Sequence, residues 1–324
     1  MTNPSDSSST PVNVLFHRDY RQFQGGHLKM WDYFQHVEGI PGYRAQIYFS
    51  PETVWDETNP WLARRPQALP RWEPETADVL FVGGMDWLRL PEAWRRNSPR
   101  PVINLIQHVR HADPNHPLFQ FLDHRAVRIA ASAEVGEALA ASGRVNGPII
   151  TIPYGLDLPV LSEVPERDIE LLIVGIKAPA RAEALGQKCR EITERVRVIS
   201  RPVPRPEFLD AMARSRVTLF LPDVTEGFYL PAMEGMILGT LVVCPDCVGN
   251  RAFCRAGETC LMPDFSDESL IATVRQALSL PSAEREQMLR VAAARAEENS
   301  IQRERERFTD VIKGISNLYS GLLD

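Results

Sequence analysis

The sequence predicts an α/β protein built from two domains, each with a parallel β-sheet covered by helices. Short, unbroken runs of β-branched and aliphatic residues recur along the chain, which is typical of strands buried on both faces of a sheet. Helical or polar stretches separate these runs, as the crossover connections of parallel strands require. At 324 residues the chain is long for one core and suits two domains.

In the first half the apolar runs alternate with turns and helices. The predicted strands are Val12–Phe16, Ala45–Phe49, Val79–Val82, Val102–Ile106, Val127–Ala131 and Ile149–Ile152. A helix is predicted over Leu28–Val37, after a turn made by Gly25 and Gly26. Glycines at such a turn let backbone amides approach an anion at the helix N-terminus, although a plain loop turn explains the pair equally well.

The second half follows a polar, proline-bearing hinge over Leu161–Arg167. The predicted strands are Ile169–Ile176, Val196–Ile199, Val217–Leu221 and Leu241–Cys244, and the predicted helices are Phe208–Arg214, Ser269–Leu280, Ala283–Glu298 and Ile301–Leu323. Another helix begins near Leu230–Pro231, because proline is favoured in a first turn. Glu226 then stands in the loop before it and Glu234 inside it, so both carboxylates are expected to border the crevice at the carboxyl end of a strand. The alternative makes Glu226 a helix cap and Glu234 a solvated residue.

Composition narrows the class of protein. The net charge of −6 does not indicate the excess of positive charge that is typical of nucleic-acid-binding proteins. No apolar run is long enough to span a membrane. The first ten residues, MTNPSDSSST, do not read as a secretory signal, so residues 1–11 are predicted to form a disordered tail.

Five cysteines leave one unpaired in any disulfide scheme, which favours a reducing cytoplasm. A zinc site formed by Cys244, Cys247, Cys254 and Cys260 is an alternative to buried or loop thiols, which we favour.

The central stretch carries a signature. It consists of Pro222-Asp223, Glu226-Gly227-Phe228-Tyr229-Leu230-Pro231, Glu234-Gly235-Met236, Gly239 and Leu241-Val242-Val243. This pattern resembles the signature of the family 4 (group 1) retaining glycosyltransferases, which have the GT-B fold. The segment Ile152–Asp157 is similar to the family's lead into its interdomain linker. Three residues depart from the family pattern, namely Tyr154, Ile176 and Tyr229.

The resemblance implies a GT-B architecture of two Rossmann-like domains that face a central cleft. It divides the chain into an acceptor-side domain (12–160), a nucleotide-sugar-binding domain (165–300) and a C-terminal helix (301–324) that packs back on the first domain. The residues that it implies for donor binding are Glu234 on the ribose, Glu226 by the sugar, and the amides of Gly227, Phe228, Tyr229 and Leu230 turned toward that sugar.

The resemblance also implies catalytic contacts. Lys177 and Arg181 neutralise the departing diphosphate, and this charge compensation requires no metal and no other cofactor. His108, directly after a predicted strand, contacts the donor sugar from the first domain, with His111 as the near alternative.

The predicted function is therefore transfer of a sugar from a nucleoside-diphosphate-sugar donor to a hydroxyl, with retention of configuration, as in polysaccharide biosynthesis. The acceptor is a glycan, a lipid-linked glycan or a small molecule, and a peripheral membrane contact stays open. Two alternatives remain: a GT-B epimerase or phosphorylase, and a non-catalytic sugar- or nucleotide-binding subunit. The tryptophan-rich stretch Trp55–Trp94 is either an acceptor surface or a loop packed by its own indoles, which we favour.

Overall fold

The computed structural model describes residues 10–22, 25–158 and 165–321, and the chain forms two compact units. Unit 1 contains the described residues up to Ala131, then Val135–Ile152, and those from Arg305 onward. Unit 2 contains Ser132–Glu134 and the described part of Pro153–Glu304. The predicted tail and the predicted hinge lie largely outside the described residues, which exclude positions 1–9 and 161–164.

Unit 1 is built on a six-stranded parallel sheet. Its strands are β1 (Val12–Arg18), β2 (Tyr43–Phe49), β3 (Val79–Gly83), β4 (Val102–Ile106), β5 (Val127–Ala130) and β6 (Ile149–Thr151). Its helices include α1 (Gly25–Glu38), α2 (Glu92–Arg95) and α3 (Ala133–Ala141). The order β2-β1-β3-β4-β5-β6 reverses direction between β1 and β3, so the carboxyl ends of these two strands flank the topological switch point.

Unit 2 repeats this plan with four parallel strands. They are β7 (Ile169–Val174), β8 (Val196–Ile199), β9 (Ser215–Phe220) and β10 (Leu241–Val243). The helices are α4 (Pro179–Cys189), α5 (Arg205–Ala213), α6 (Leu230–Ile237), α7 (Asp267–Ser279) and α8 (Ser282–Glu297). The order β10-β9-β7-β8 places the switch point between β7 and β9. Strand residues such as Leu171 and Val217 pack with Leu185 and Val274 of the helices in one apolar core.

The structure confirms the two parallel α/β sheets, and it corrects two local predictions. Gly25 and Gly26 form the first turn of α1 rather than a turn before it. A Cβ on Gly26 would lie 3.3 Å from Nε2 of Gln107, so glycine suits this close approach. The single helix predicted over 301–323 is interrupted at Gly314, which separates α9 (Ile301–Lys313) from α10 (Ile315–Ser320); glycine is a poor residue for a helix interior.

The beginning and the end of unit 2 lie side by side. The amide of Leu156 donates to the carbonyl of Asn299 at 3.1 Å, and the amide of Ile301 donates to the carbonyl of Leu156 at 3.3 Å. Position 155 must be glycine, because a Cβ there would overlap the carbonyl of Ser300.

The tryptophan-rich stretch of unit 1 forms packed loops and turns. Trp61 and Trp87 are fully buried. The indole of Trp72 packs edge-on against His17 and donates its N–H to the carbonyl of Arg89 at 2.8 Å. In the part of the chain that the structure describes, no helix has both the length and the apolar character needed to cross a bilayer.

Candidate active site

The strongest candidate site lies at the switch point of unit 2, at the carboxyl ends of β7 and β9. Lys177 follows β7, and the loop that contains Asp223 and Glu226 follows β9. Open α/β sheets bind ligands in this crevice, because neighbouring connections leave the sheet in opposite directions there. The fold alone therefore brings together charged residues that are far apart in sequence.

Lys177 and Glu226 form an ion pair at this position. The Nζ atom of Lys177 contacts Oε1 of Glu226 and lies 3.6 Å from Oδ2 of Asp223. The amide of Asp223 also approaches Oε1 of Glu226, at 3.4 Å. Glu226 is buried, whereas half of the Lys177 side chain is exposed. The site thus combines the ammonium group of a flexible, half-exposed lysine with a buried carboxylate.

Glu234 lies in the second turn of α6, which begins at Leu230 as predicted. Its side chain is almost completely buried, with 2% of the residue exposed. Its Oε1 lies 2.7 Å from a guanidinium nitrogen of Arg205, the first residue of α5. The sequence did not reveal this partner, because an arginine between two prolines carries no chemical signal of its own.

Tyr229 is the residue directly before α6, and its buried ring packs edge-on against Phe220. Burial, followed by the negative potential of nearby groups that include Glu226 and Glu234, raises the pKa of Tyr229 well above its ordinary value. The phenol is therefore neutral at any physiological pH. Where the resembled family has glycine or serine, this chain places a buried ring beside both carboxylates.

Two of the four amides predicted to face the donor sugar donate instead to backbone carbonyls of the protein. Tyr229 donates its N–H to the carbonyl of Gly249 at 2.8 Å, and Leu230 donates to the carbonyl of Phe228 at 3.1 Å. This differs from the expectation that all four amides are turned toward a ligand, because the backbone of Gly249 packs directly on the turn. Among the described residues, no backbone hydrogen bond engages the amides of Gly227 and Phe228.

Arg181 is engaged elsewhere in unit 2. Its Nε donates to Oδ1 of Asp267 at 3.0 Å, and its NH2 donates to the carbonyl of Phe265. Lys188 also lies 3.0 Å from Asp267. The cation of Arg181 is thus paired with the first turn of α7, and its predicted contact with a diphosphate stays a prediction.

In unit 1 the structure places His108 directly after β4, with its Nδ1 accepting the amide of Arg110 at 3.0 Å. Burial, and then the cation of Arg110, lower the pKa of His111 to about 3, so that imidazole is neutral. The side chain of Gln107 donates to the carbonyl of Gly26 at 3.2 Å. The loop after β4 and the first turn of α1, which also contains Gly25, therefore meet at one edge of the sheet.

The switch point of unit 1 carries a buried cluster that sequence reasoning missed. Asp86 contacts Arg18, lies 2.8 Å from Nδ1 of His17 and accepts the amide of Gly83 at 3.0 Å. Although burial acts to raise it, Arg18 and then His17 hold the pKa of Asp86 below its usual value. A Gly-Gly-Met-Asp turn after a strand was the available signal, but the sequence does not show its partners.

The cysteines of the zinc alternative are all described. Cys244, Cys247, Cys254 and Cys260 are buried and unbridged, and burial raises the pKa of Cys244 well above its ordinary value. Within the described ranges, no group of three or more His, Cys, Asp or Glu side chains is arranged to hold a metal ion.

Two parallel α/β sheets covered by helices are the architecture of the GT-B fold. Solved structures share this fold. Sucrose-phosphate synthase from Thermosynechococcus elongatus has a TM-score of 0.70 and 12% identity, over 94% of this chain and 99% of that one. HepE from Anabaena, in complex with UDP and glucose, has a TM-score of 0.70 and 12% identity, over 94% of this chain and 100% of its own. The lipopolysaccharide outer core galactosyltransferase WaaB has a TM-score of 0.63 and 15% identity, over 94% of this chain and 99% of its own.

Residues 157–279, which cover the switch point of unit 2, match the family described as "Glycosyl transferases group 1". The matched segment lies within unit 2 and includes Lys177, Glu226 and Glu234. No curated protein sequence matches the chain.

Proposed function

We propose that this protein is a glycosyltransferase that moves a sugar from a nucleoside-diphosphate-sugar donor to a hydroxyl acceptor, with retention of configuration. The observation that carries the proposal is the ion pair of Lys177 and Glu226 at the switch point of unit 2. A half-exposed cation that is held over a fixed carboxylate is suited to a ligand that has an anionic leaving group next to a polyhydroxylated ring.

Lys177 is proposed to neutralise the departing diphosphate. Its side chain can turn from Glu226 to a phosphate oxygen, because half of it already lies in solvent. Arg181 would add a second cation by exchanging Asp267 for the diphosphate. With these two cations on the diphosphate, the proposed reaction has no step that requires a metal or another cofactor. The structures of HepE with UDP and with UDP-glucose support a uridine nucleotide as the first donor to test.

Glu234 is proposed to accept hydrogen bonds from the two ribose hydroxyls. Its ion pair with Arg205 orients the carboxylate and offsets the cost of burying its charge. Glu226 and the amides of Gly227 and Phe228 are proposed to hold the donor sugar. The contact of His108 with a donor sugar, which the resemblance implies, stays a prediction.

The reaction that follows is a front-face displacement. The acceptor hydroxyl oxygen bonds to the anomeric carbon while the bond from that carbon to the diphosphate oxygen breaks. The acceptor proton passes to the departing diphosphate, so atoms and charge balance without a covalent enzyme intermediate. The proposed acceptor is a glycan, a lipid-linked glycan or a small molecule. The five unbridged cysteines support a reducing compartment such as the cytoplasm.

Two variants test the proposal in one assay. Purified wild type, Glu234→Ala and the control Glu207→Ala are titrated with UDP and then incubated with a panel of nucleotide sugars and acceptors. Glu207 is an exposed carboxylate on α5 that pairs with Arg197, so its loss is expected to leave UDP affinity unchanged. Glu234→Ala is expected to weaken UDP binding by about tenfold or more.

Nuclear magnetic resonance of the product gives its anomeric configuration. An inverted product contradicts retention, and UDP affinity that is equal in wild type and Glu234→Ala contradicts the assignment of the ribose site. Turnover of the donor to an epimer in the absence of acceptor would identify the epimerase alternative instead.

A further inference from the structure

A pocket of about 430 Å³ opens in unit 1 on the edge of the sheet opposite the loop of His108. It lies at the amino ends of β4 and β5, next to residues that precede these strands. The polar residues that line it are Asn97, Ser98, Arg125, Ser316, Tyr319 and Ser320. Its volume falls in the range of small-molecule sites.

Arg125 supplies a positive charge to this pocket. The residue is 8% exposed, and its guanidinium lies 4.0 Å from the ring centroid of Tyr319. Its hydrogen bonds go to neutral acceptors, the side-chain oxygen of Asn97 at 3.2 Å and the carbonyl of Tyr319. Within the described ranges no carboxylate pairs with it, and its buried Nε has no hydrogen-bond partner. A buried cation of this kind is costly unless an anion approaches it.

A second buried arginine reinforces the positive potential. Arg128, on β5, is fully buried and donates to the carbonyls of Phe121, Leu122 and His124. The nearby carboxylate, Asp123, is contacted by Arg96 at 3.4 Å and by Arg144 at 3.5 Å. The charge of Asp123 is thus already matched by two surface arginines.

Another wall of the pocket carries hydroxyl groups from α10, where the hydroxyl of Ser320 donates to the carbonyl of Ser316 at 2.6 Å. Ser316, Tyr319 and Ser320 have the i, i+3, i+4 spacing that places side chains on one face of a helix. Ser98 faces them across the pocket, where its carbonyl accepts the hydroxyl of Tyr319 at 3.0 Å and its own hydroxyl accepts the amide of Arg100 at 3.0 Å. Hydroxyls that surround a guanidinium are suited to the several oxygens of a phosphate group.

We propose that this pocket binds a small phosphate monoester, of the size of a sugar phosphate, through Arg125 and the hydroxyls of Ser98 and Ser316. The pocket is too large for an isolated inorganic ion and has hydroxyls for the body of the ligand as well as a cation for its charge. It is a second ligand site, in the other unit from the donor site, and it does not depend on the proposed donor contacts.

Isothermal titration of the full chain tests this site. The probes are glucose 6-phosphate, inorganic phosphate and, as an uncharged control, glucose. The informative variant is Asn97→Asp, which places a carboxylate beside the guanidinium of Arg125 without removing any packed side chain. Wild type is expected to bind glucose 6-phosphate at one site more tightly than inorganic phosphate, and Asn97→Asp is expected to weaken this binding by about tenfold or more. The matched control Arg96→Gln removes an exposed charge nearby and is expected to bind as wild type does.

Because Lys177 also attracts phosphate groups, the titration is repeated with Lys177→Ala. Retained binding in Lys177→Ala and lost binding in Asn97→Asp supports the pocket. The reverse result, or equal binding by wild type and Asn97→Asp, overturns it, as does the absence of heat from wild type at millimolar glucose 6-phosphate. UDP binding in Asn97→Asp is expected to equal that of wild type, so a failure of the donor assignment is measured separately.

Discussion

The switch points of the two units place an acid–base pair at the same topological position, but they bury it to different extents. In unit 1 the side chains of Arg18 and Asp86 are 10% and 7% exposed. In unit 2 those of Lys177 and Glu226 are 51% and 10% exposed. One fold therefore builds two charged sites, and the exposure of the cation distinguishes a site that is closed from one that can exchange its partner.

The neighbours of each acid explain the difference. Asp86 has three described protein partners, Arg18, His17 and the amide of Gly83, so its oxygens are satisfied within unit 1. The Nζ atom of Lys177 contacts the carboxylates of Asp223 and Glu226, and half of the lysine side chain is exposed to solvent. A site with an exposed cation is the one that can bind an anionic ligand without first breaking a buried network.

The largest expected effect on stability comes from Asp86→Ala. The substitution leaves Arg18 and His17 buried without their acid, so the free energy of unfolding should fall by about 3–5 kcal/mol. All six tryptophans lie in unit 1, so thermal melting followed by tryptophan fluorescence measures this unit. The matched variant Glu226→Ala leaves Lys177 in solvent and should change stability by less than about 1 kcal/mol while it abolishes transfer. Equal loss of stability in the two variants would contradict the comparison.

Acid should destabilise unit 1 before unit 2, because all seven histidines lie in unit 1. Burial lowers the pKa of His27 to about 4, below its unfolded value of about 6.5. The neutral form is thus favoured in the fold, and the stability that it contributes is complete above about pH 6.5 and declines toward pH 4, by up to about 3 kcal/mol.

The measurement pairs tryptophan fluorescence with the reactivity of the five buried cysteines, which all lie in unit 2. Fluorescence should change at a higher pH than thiol reactivity. His27→Gln should reduce the pH dependence of the fluorescence transition; simultaneous changes in both signals that His27→Gln does not affect would oppose this assignment.

A smaller effect is expected from Gly249→Ala in unit 2. An added Cβ would lie 2.8 Å from the Cα of Phe228 and from the amide nitrogen of Tyr229, so the turn must move. Such overpacking costs about 1–3 kcal/mol, and the movement should weaken UDP binding. Gly257→Ala is the control, because its positive φ of 77° strains the backbone while no atom lies near the added Cβ. Unfolding measurements and UDP titration separate the two; equal UDP affinities would exclude a role for the turn.

The smallest effect on stability is expected from Lys177→Met, at less than about 1 kcal/mol, because the pair is partly exposed. Its transfer rate should nevertheless fall by about 10²-fold, since the departing diphosphate loses a cation. Lys188→Met is a matched control, since that side chain is 52% exposed and pairs with Asp267. A transfer rate of Lys177→Met that equals the rate of Lys188→Met would remove Lys177 from the proposed site.

Local patterns in the sequence predicted most of the fold. The apolar runs predicted β4 and β8 at their observed bounds, because a buried parallel strand appears in the sequence as a run of consecutive apolar residues. The proline at the start of α6 placed Glu226 before the helix and Glu234 within it.

Pairings between distant residues could not be predicted in this way. Arg18 and Asp86 are 68 positions apart, and Arg181 and Asp267 are 86 positions apart. No local period encodes such contacts, since they depend on which strand ends and helix starts become neighbours. The role of Arg205 at Glu234 was missed for the same reason.

The paired backbone around Gly155 has a consequence for how the chain could be rearranged. The chain enters unit 2 near Leu156 and leaves it near Asn299 and Ile301. Backbone hydrogen bonds already join these two segments. Excision of this unit would therefore leave two ends within hydrogen-bond distance, which is the geometry that favours transplantation of a domain into a foreign loop. Gly155 permits this pairing, because it has no Cβ that would overlap the carbonyl of Ser300.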